Sequence, residues 1–290
     1  MSTLLGANQR GGKPVTRLYD PTNAQVLEGS QWKIRYGDKS TAGGKVFLDR
    51  VAIGNLAVPN QAVEAATNMS ASFTRGGSMD GLLGLGSGKL NTIKPRAQPT
   101  WFENVRQTLA SPVFTCALKR HASGSFDFGF IDKTKYTGEI SWSPVKGQKG
   151  FWDFQIQGYG VGGGPVTAFE TSAIVDTGSS LWYAPASMVD AYWAKVPDAT
   201  YNNIQGGYTF PCSTKLPDIQ VVIAGKKVSV PGQNMNYQNL GVSTCFGGLQ
   251  RSTGMPFSIF GDVFLKGLYV IFEHVPGNVQ RIGFAQGTFR

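Results

Sequence analysis

The chain has 290 residues, 41% hydrophobic content, 38 glycines and a net charge of +9. No run of 18 apolar residues occurs, which excludes a membrane-spanning helix. The 27 basic residues are scattered, with only doublets such as Lys119-Arg120 and Lys226-Lys227, so the charge reads as solvated surface rather than a nucleic-acid face.

In chain order, residues 1 to 15 carry Gly11-Gly12 and basic residues but no apolar signal-peptide core, and Arg10 to Val15 reads as a loose leader. Trp32 to Ser40 predicts a solvent-side hairpin, and the alternating run Lys45 to Val51 predicts a strand. Asn68-Met69-Ser70 is a glycosylation sequon, relevant if the chain enters the secretory pathway. A glycine-rich stretch, Asp80 to Gly86, follows. Thr100 to Leu109 predicts a short helix, with Trp101, Val105 and Leu109 at helical spacing. Val113 to Lys119 predicts a strand whose Cys116 is a buried thiol rather than a nucleophile, since no His lies near it in sequence.

The Asp-Thr-Gly-Ser stretch, Asp176 to Ser179, ends the apolar run Ser172 to Val175 and seats one carboxylate in a tight polar turn. Such a turn alone is common wherever Asp caps its own backbone. Ser187 to Val196 predicts a second short helix through Val189, Tyr192, Trp193 and Val196, and Ile219 to Ile223 predicts another strand. Ser258 to Lys266, then Leu268 to Phe272, reads as an apolar strand, a Gly that lets another backbone pass close, and a second strand. Many short alternating runs with abundant Gly make the fold class all-β. Two His and no clustered Cys/His spacing give no reason to expect a metal or cofactor.

Asp176-Thr177-Gly178-Ser179, with the Gly261 element behind it, resembles the active-site loop of the pepsin-like aspartic endopeptidases. In that family two such loops, one per lobe, bring two Asp carboxylates together. Asp80 to Gly86 resembles the Gly element of the other lobe, and Trp32 to Ser40 the flap that closes over a bound peptide. Thr16 to Thr22 resembles the segment that follows the first catalytic loop. Ser111 to Phe114, Phe126 to Asp132 with Lys135 to Gly138, and Gly247 to Gln250 most resemble secreted fungal members of the aspergillopepsin and penicillopepsin type.

The resemblance implies a bilobal fold: an N-terminal lobe at 1–133 that carries the flap, and a C-terminal lobe at 134–290 with Asp176 at the floor of an interlobe cleft. Asp176 would be catalytic. Thr177 would bond across to the equivalent loop, Gly178 would let the substrate backbone approach, and Ser179 would support the carboxylate. Tyr36, Gly37 and Asp38 would cover the substrate, with Phe73 and Leu82 lining the pocket before the scissile bond. Asp38 would accept a basic side chain there, although Lys39 works against this by neutralising it and stiffening the turn. Cys212 and Cys245 match the family's disulfide, implying an oxidising compartment, extracellular or vacuolar. The implied partner is a protein or peptide substrate, with no nucleic acid, no membrane and a monomeric enzyme.

The resemblance also predicts something missing. Two neighbouring carboxylates share a proton, one pKa falling below and the other rising above the usual carboxylate range, so that one can take a proton from water while the other polarises the scissile carbonyl. Asp176 begins the sole Asp-Thr-Gly or Asp-Ser-Gly triplet of the chain. It precedes Gly261 by 85 residues (261 − 176), and the same interval counted back from Gly84 reaches −1, upstream of Met1. The expectation is an incomplete N-terminal lobe and an inactive chain. A peptide-binding homologue with one Asp and a basic surface-binding module on a borrowed fold are the alternatives. Asp262, next to Gly261, is expected to be structural rather than the second acid.

Overall fold

The computed structural model describes residues 2–5, 19–73, 80–146, 149–255, 257–277 and 279–288. Arg10 to Val15 and residues 16–18 of the Thr16 to Thr22 segment lie outside them. The chain packs as two compact units, Met1–Leu109 with Gln148–Phe151, and Ala110–Gly147 with Trp152–Arg290.

The first unit is built on strands β1 (Ser2–Leu5), β2 (Gln25–Arg35), β3 (Thr41–Ile53), β4 (Leu56–Met69) and β5 (Gly81–Leu83), in the sheet order β2-β3-β4-β1-β5. Trp32, Ala42, Val46, Ala62, Ala66 and Ile93 form its core cluster, with Tyr36 and Met69 against it. Helix α1 (Trp101–Val105) starts at a reciprocal cap: the Thr100 hydroxyl accepts from the N–H of Glu103, and the Glu103 carboxylate accepts from the N–H of Thr100. It buries Trp101, Phe102 and Val105.

In the second unit one sheet joins β6 (Val113–Lys119), β7 (Ala122–Phe128), β8 (Tyr136–Pro144), β20 (Leu268–Val275) and β21 (Val279–Gly287), in the order β7-β6-β20-β21-β8. A second contains β9 (Asp153–Val161), β10 (Thr167–Val175), β11 (Trp182–Ala184), β14 (Ile219–Ile223), β15 (Lys226–Val230), β18 (Leu249–Arg251) and β19 (Ser258–Phe260). Its order is β15-β14-β9-β10-β19-β11-β18. A third, β12-β13-β17-β16, is made by β12 (Thr200–Asn202), β13 (Gly207–Pro211), β16 (Asn236–Gly241) and β17 (Thr244–Gly247). Strand β14 shows why these segments are extended: Ile219, Val221 and Ile223 are fully buried, and Gln220 and Val222 alternate with them on the other face. Helix α2 (Ala186–Trp193) buries Met188, Val189, Tyr192 and Trp193.

Two departures from the sequence reading matter for the site. The apolar run after Gly261 does not continue as strand: Asp262–Leu265 forms a helical turn, α3, before β20 begins at Leu268. Strand β1 lies in a stretch for which the sequence predicts no element, yet it pairs in parallel with β4 and antiparallel with β5.

Candidate active site

The Asp176 loop is fixed by the element behind it. Strand β10 runs parallel to β19, with Ala173, Ile174 and Val175 opposite Ser258, Ile259 and Phe260, and the Asp176 N–H donates to Phe260 O at 3.2 Å. A side chain on Gly261 would run into the carbonyls of Ser179 and Leu181, so only Gly permits the crossing. Beyond it, the N–H groups of Asp262 and Val263 donate to Ser179 O (2.8 Å) and Ser180 O (3.1 Å), stitching the start of α3 to the loop.

Within the loop both carboxylate oxygens are held. Oδ1 of Asp176 accepts from the Gly178 N–H at 2.9 Å and Oδ2 from the Ser179 hydroxyl at 2.6 Å. These bonds fix the carboxyl plane, while Thr177 and Gly178 stand exposed beside it. The arrangement is a rigid, solvent-facing proton acceptor with lone pairs to spare.

Asp262 sits behind this loop and differs from it. Its Oδ1 is buried without a hydrogen-bond partner. Burial raises its pKa to about 6, with Asp176 adding repulsion and Lys266 partly opposing both. Cys116 is fully buried, and its thiol is pushed upward by burial and by the nearby Asp262.

In the first unit the expected hairpin is formed by β2 and β3. Tyr36 N–H donates to Ser40 O at 2.9 Å and Lys39 N–H to Tyr36 O at 3.0 Å. Asp38 Oδ1 accepts from the N–H (2.9 Å) and hydroxyl (2.6 Å) of Ser40, and these bonds hold its carboxyl below the usual carboxylate range. Lys39 has φ +71°, the left-handed region that favours Gly. Among the described residues its ammonium makes no ion pair with Asp38, so the expected neutralisation is not a direct contact. The Tyr36 ring meets Phe73 edge-on at 5.5 Å, and Leu82 lies on β5 opposite Thr3. Tyr36, Gly37, Asp38, Phe73 and Leu82 thus belong to the first unit, and Asp176, Thr177, Gly178 and Ser179 to the second.

A strand arrangement recurs in the two units. In the second, β11 pairs in parallel with β18 and antiparallel with β19, so that Tyr183 faces Gln250 on one side and Ile259 on the other. In the first, β1 pairs in parallel with β4 and antiparallel with β5, so that Thr3 faces Glu64 and Leu82. Gln250 and Glu64 occupy matching places, and both are buried. Gln250 binds the Tyr208 N–H and the carbonyls of Tyr208 and Gly247, and Glu64 accepts from Asn91 Nδ2 at 3.1 Å. Among the described residues the two arrangements differ in their surroundings: β19 lies between β10 and β11, whereas β5 ends its sheet.

Sequence reasoning did not reach these buried amides and acids, nor the cluster in which Arg251 binds Asp190 (2.7 Å) and the Tyr208 hydroxyl (3.0 Å). Their partners are far apart in the chain. The Cys212–Cys245 disulfide expected from the resemblance is present, tying the end of β13 to β17. Among the described residues no group of His, Cys, Asp and Glu could hold a metal ion, and no helix is long and apolar enough to cross a membrane.

Comparison with known proteins agrees with this architecture. The family model for eukaryotic aspartyl proteases matches residues 12–287. The chain is 46% identical over 289 residues to aspartic protease pepA of Leptosphaeria maculans, spanning 99% of this chain and 70% of that protein. It is 45% identical over 287 residues to aspergillopepsin-1 of Aspergillus fumigatus (98% and 71%). Against penicillopepsin-3 of Penicillium janthinellum it is 46% identical over 271 residues (92% and 68%). The crystal structure of the aspartic proteinase from Irpex lacteus superposes with a TM-score of 0.78 over 99% of this chain and 87% of that one, at 21% identity, a likeness of fold. With a matched span of residues 12–287 and an all-β bilobal architecture, the chain belongs to the pepsin-like family of eukaryotic aspartyl proteases.

Proposed function

We propose that the protein is an acidic endopeptidase in which Asp176 is one of two catalytic carboxylates, the other being carried on a strand beside β5, and that residues 1–290 alone do not hydrolyse peptides. The side of β5 that no described strand pairs with supports this reading. Its counterpart β19 has on that side the strand β10, which delivers Asp176. A β10-like strand next to β5 would deliver a second Asp in the same manner.

With both present, the pair shares one proton: the ionised carboxylate takes a proton from water as its oxygen bonds to the scissile carbonyl carbon, and the protonated one donates to the carbonyl oxygen. Asp176, held through both oxygens, is suited to this because neither oxygen must reorganise. Thr177, Gly178 and Ser179 would position the loop and the peptide backbone. Tyr36, Gly37, Asp38, Phe73 and Leu82 would bind substrate, and the two lobes would run 1–133 and 134–290. Substrates would be proteins or peptides, met by a monomer outside the cell or in a vacuole.

The second reading, an inactive peptide-binding homologue, is favoured by the single Asp-Thr-Gly triplet. One experiment separates them. Residues 1–290 and a longer chain that begins upstream with an Asp-Thr-Gly strand are incubated with unfolded protein at about pH 3 to 5, the range where a shared-proton dyad works. The longer chain is expected to cleave and to be blocked by statine-type inhibitors such as pepstatin. Pepstatin-sensitive turnover by residues 1–290 as a monomer overturns the proposal, and monomer status is checked by sedimentation.

A further inference from the structure

We infer that Asn68 is an N-glycosylation site placed on the outer face of the β2–β3 hairpin sheet, taking an oligosaccharide from a lipid-pyrophosphate donor. Asn68-Met69-Ser70 is the single Asn-X-Ser/Thr triplet in the sequence. Near the end of β4 Asn68 is exposed, Met69 beside it packs against the core cluster of Trp32 and Ala42, and Ser70 follows the strand's last residue. A residue whose neighbour is anchored inward points outward on the pleat, so a substituent on Asn68 leaves the core untouched.

The surroundings leave room. Cross-strand pairing puts Lys33, Gly43 and Asn68 in one row, Lys33 opposite Gly43 and Gly43 opposite Asn68. Partners in such a row share a face, and Gly43 contributes no side chain, so the floor beside Asn68 is bare backbone as far as Lys33. The span is two strand spacings, roughly 10 Å. In the folded protein the Ser70 hydroxyl accepts from the Thr41 N–H at 2.8 Å. Before folding, the same hydroxyl is the group the sequon requires.

The transfer balances. The Asn68 side-chain nitrogen bonds to the anomeric carbon of the donor and loses one proton, and the lipid pyrophosphate leaves. This inference rests on the secretory part of the proposed function and not on proteolysis, so its failure is separable: an inactive but glycosylated protein counts against the enzyme alone.

The test is expression of residues 1–290 behind a cleavable signal sequence in a eukaryotic host, with peptide mapping of all membrane-enclosed and secreted material. The expected result is one glycan, removed by peptide amidase with conversion of Asn68 to Asp. The mobility shift should be lost in Asn68→Gln and Ser70→Ala and retained in Ser70→Thr, and trypsin should cut after Lys33 more slowly before deglycosylation than after. An unmodified Asn68 peptide from the wild-type material, or a shift that persists in Asn68→Gln, overturns the inference.

Discussion

The strands β5 and β19 occupy the same place in two copies of one arrangement, each antiparallel to a short strand that is itself parallel to a longer one. Strand β19 has a second neighbour, β10, which ends at Asp176; among the described residues β5 has none. A short strand buried between two neighbours is a platform, and the same strand at a sheet edge is an unsatisfied ladder. In this chain the Asp-Thr-Gly turn is held in place by the strand pair β10 and β19.

The largest test of this comparison is catalytic. In a longer chain supplying a strand beside β5, Asp176→Asn is expected to lower kcat by about 10³-fold or more with little change in unfolding temperature, because a positioned acid-base group is lost and the loop hydrogen bonds survive. Equal loss of stability and activity would assign Asp176 a structural role. Next in size is the disulfide. Its separation of 33 residues gives about 3–4 kcal/mol of chain-entropy stabilisation to the second unit. Limited proteolysis should remove residues up to about Leu109 first and leave a fragment that shifts on gels with reductant, because residues from Ala110 pack with the second unit. Replacing both Cys212 and Cys245 by Ala should abolish that difference in resistance. Survival of the first unit alongside the second would show that the disulfide gives the second unit no added resistance.

Asp262 gives a smaller, pH-dependent effect. Its pKa in the folded chain is about 6, against an ordinary 3.8. Below pH 3.8 both folded and unfolded chains keep the proton, and the group costs nothing. As pH rises to about 6 the unfolded chain ionises first, so the folded state loses about 1–2 kcal/mol, allowing for partial exposure. Asp262→Asn should therefore raise the unfolding temperature at pH 7 and leave it nearly unchanged at pH 3; a gain at both would remove proton linkage as the cause. The smallest effect belongs to the first unit: Lys39→Gly relieves the positive φ and should stabilise by about 0.5–1 kcal/mol, net of the entropy of Gly. A loss on thermal unfolding would mean the lysine stem packs usefully at the turn.

What was legible in the sequence was local. Val113–Lys119 and Ile219–Ile223 are strands over the very residues whose alternation predicts them. The helix read at Thr100 begins there because Thr100 and Glu103 cap each other. Residues 262–265 misled because Val263, Phe264 and Leu265 are all buried, and a run buried on every side has no period to separate helix from strand. Strand β1 escaped because its partners lie some 60 and 80 residues on, and the Asp190, Tyr208 and Arg251 cluster because only the folded chain joins them. The Asp176 loop was readable since its hydrogen bonds close within three residues; the threading of Gly261 was readable from the Gly between two apolar runs.

The buried Cys116 bears on how the chain acquires its covalent bond. An unfolded chain with three thiols in an oxidising compartment has three ways to form one disulfide, of which Cys212–Cys245 is the native one. Cys116 lies on β6, which pairs with β20. Docking of that strand withdraws the thiol from exchange, so the order of the two events sets the fraction of chains trapped with a wrong pairing. Cys116→Val should raise the yield of oxidative refolding, as read by the amount of monomeric protein carrying the Cys212–Cys245 bond; an unchanged yield would mean β6 docks before any thiol reacts.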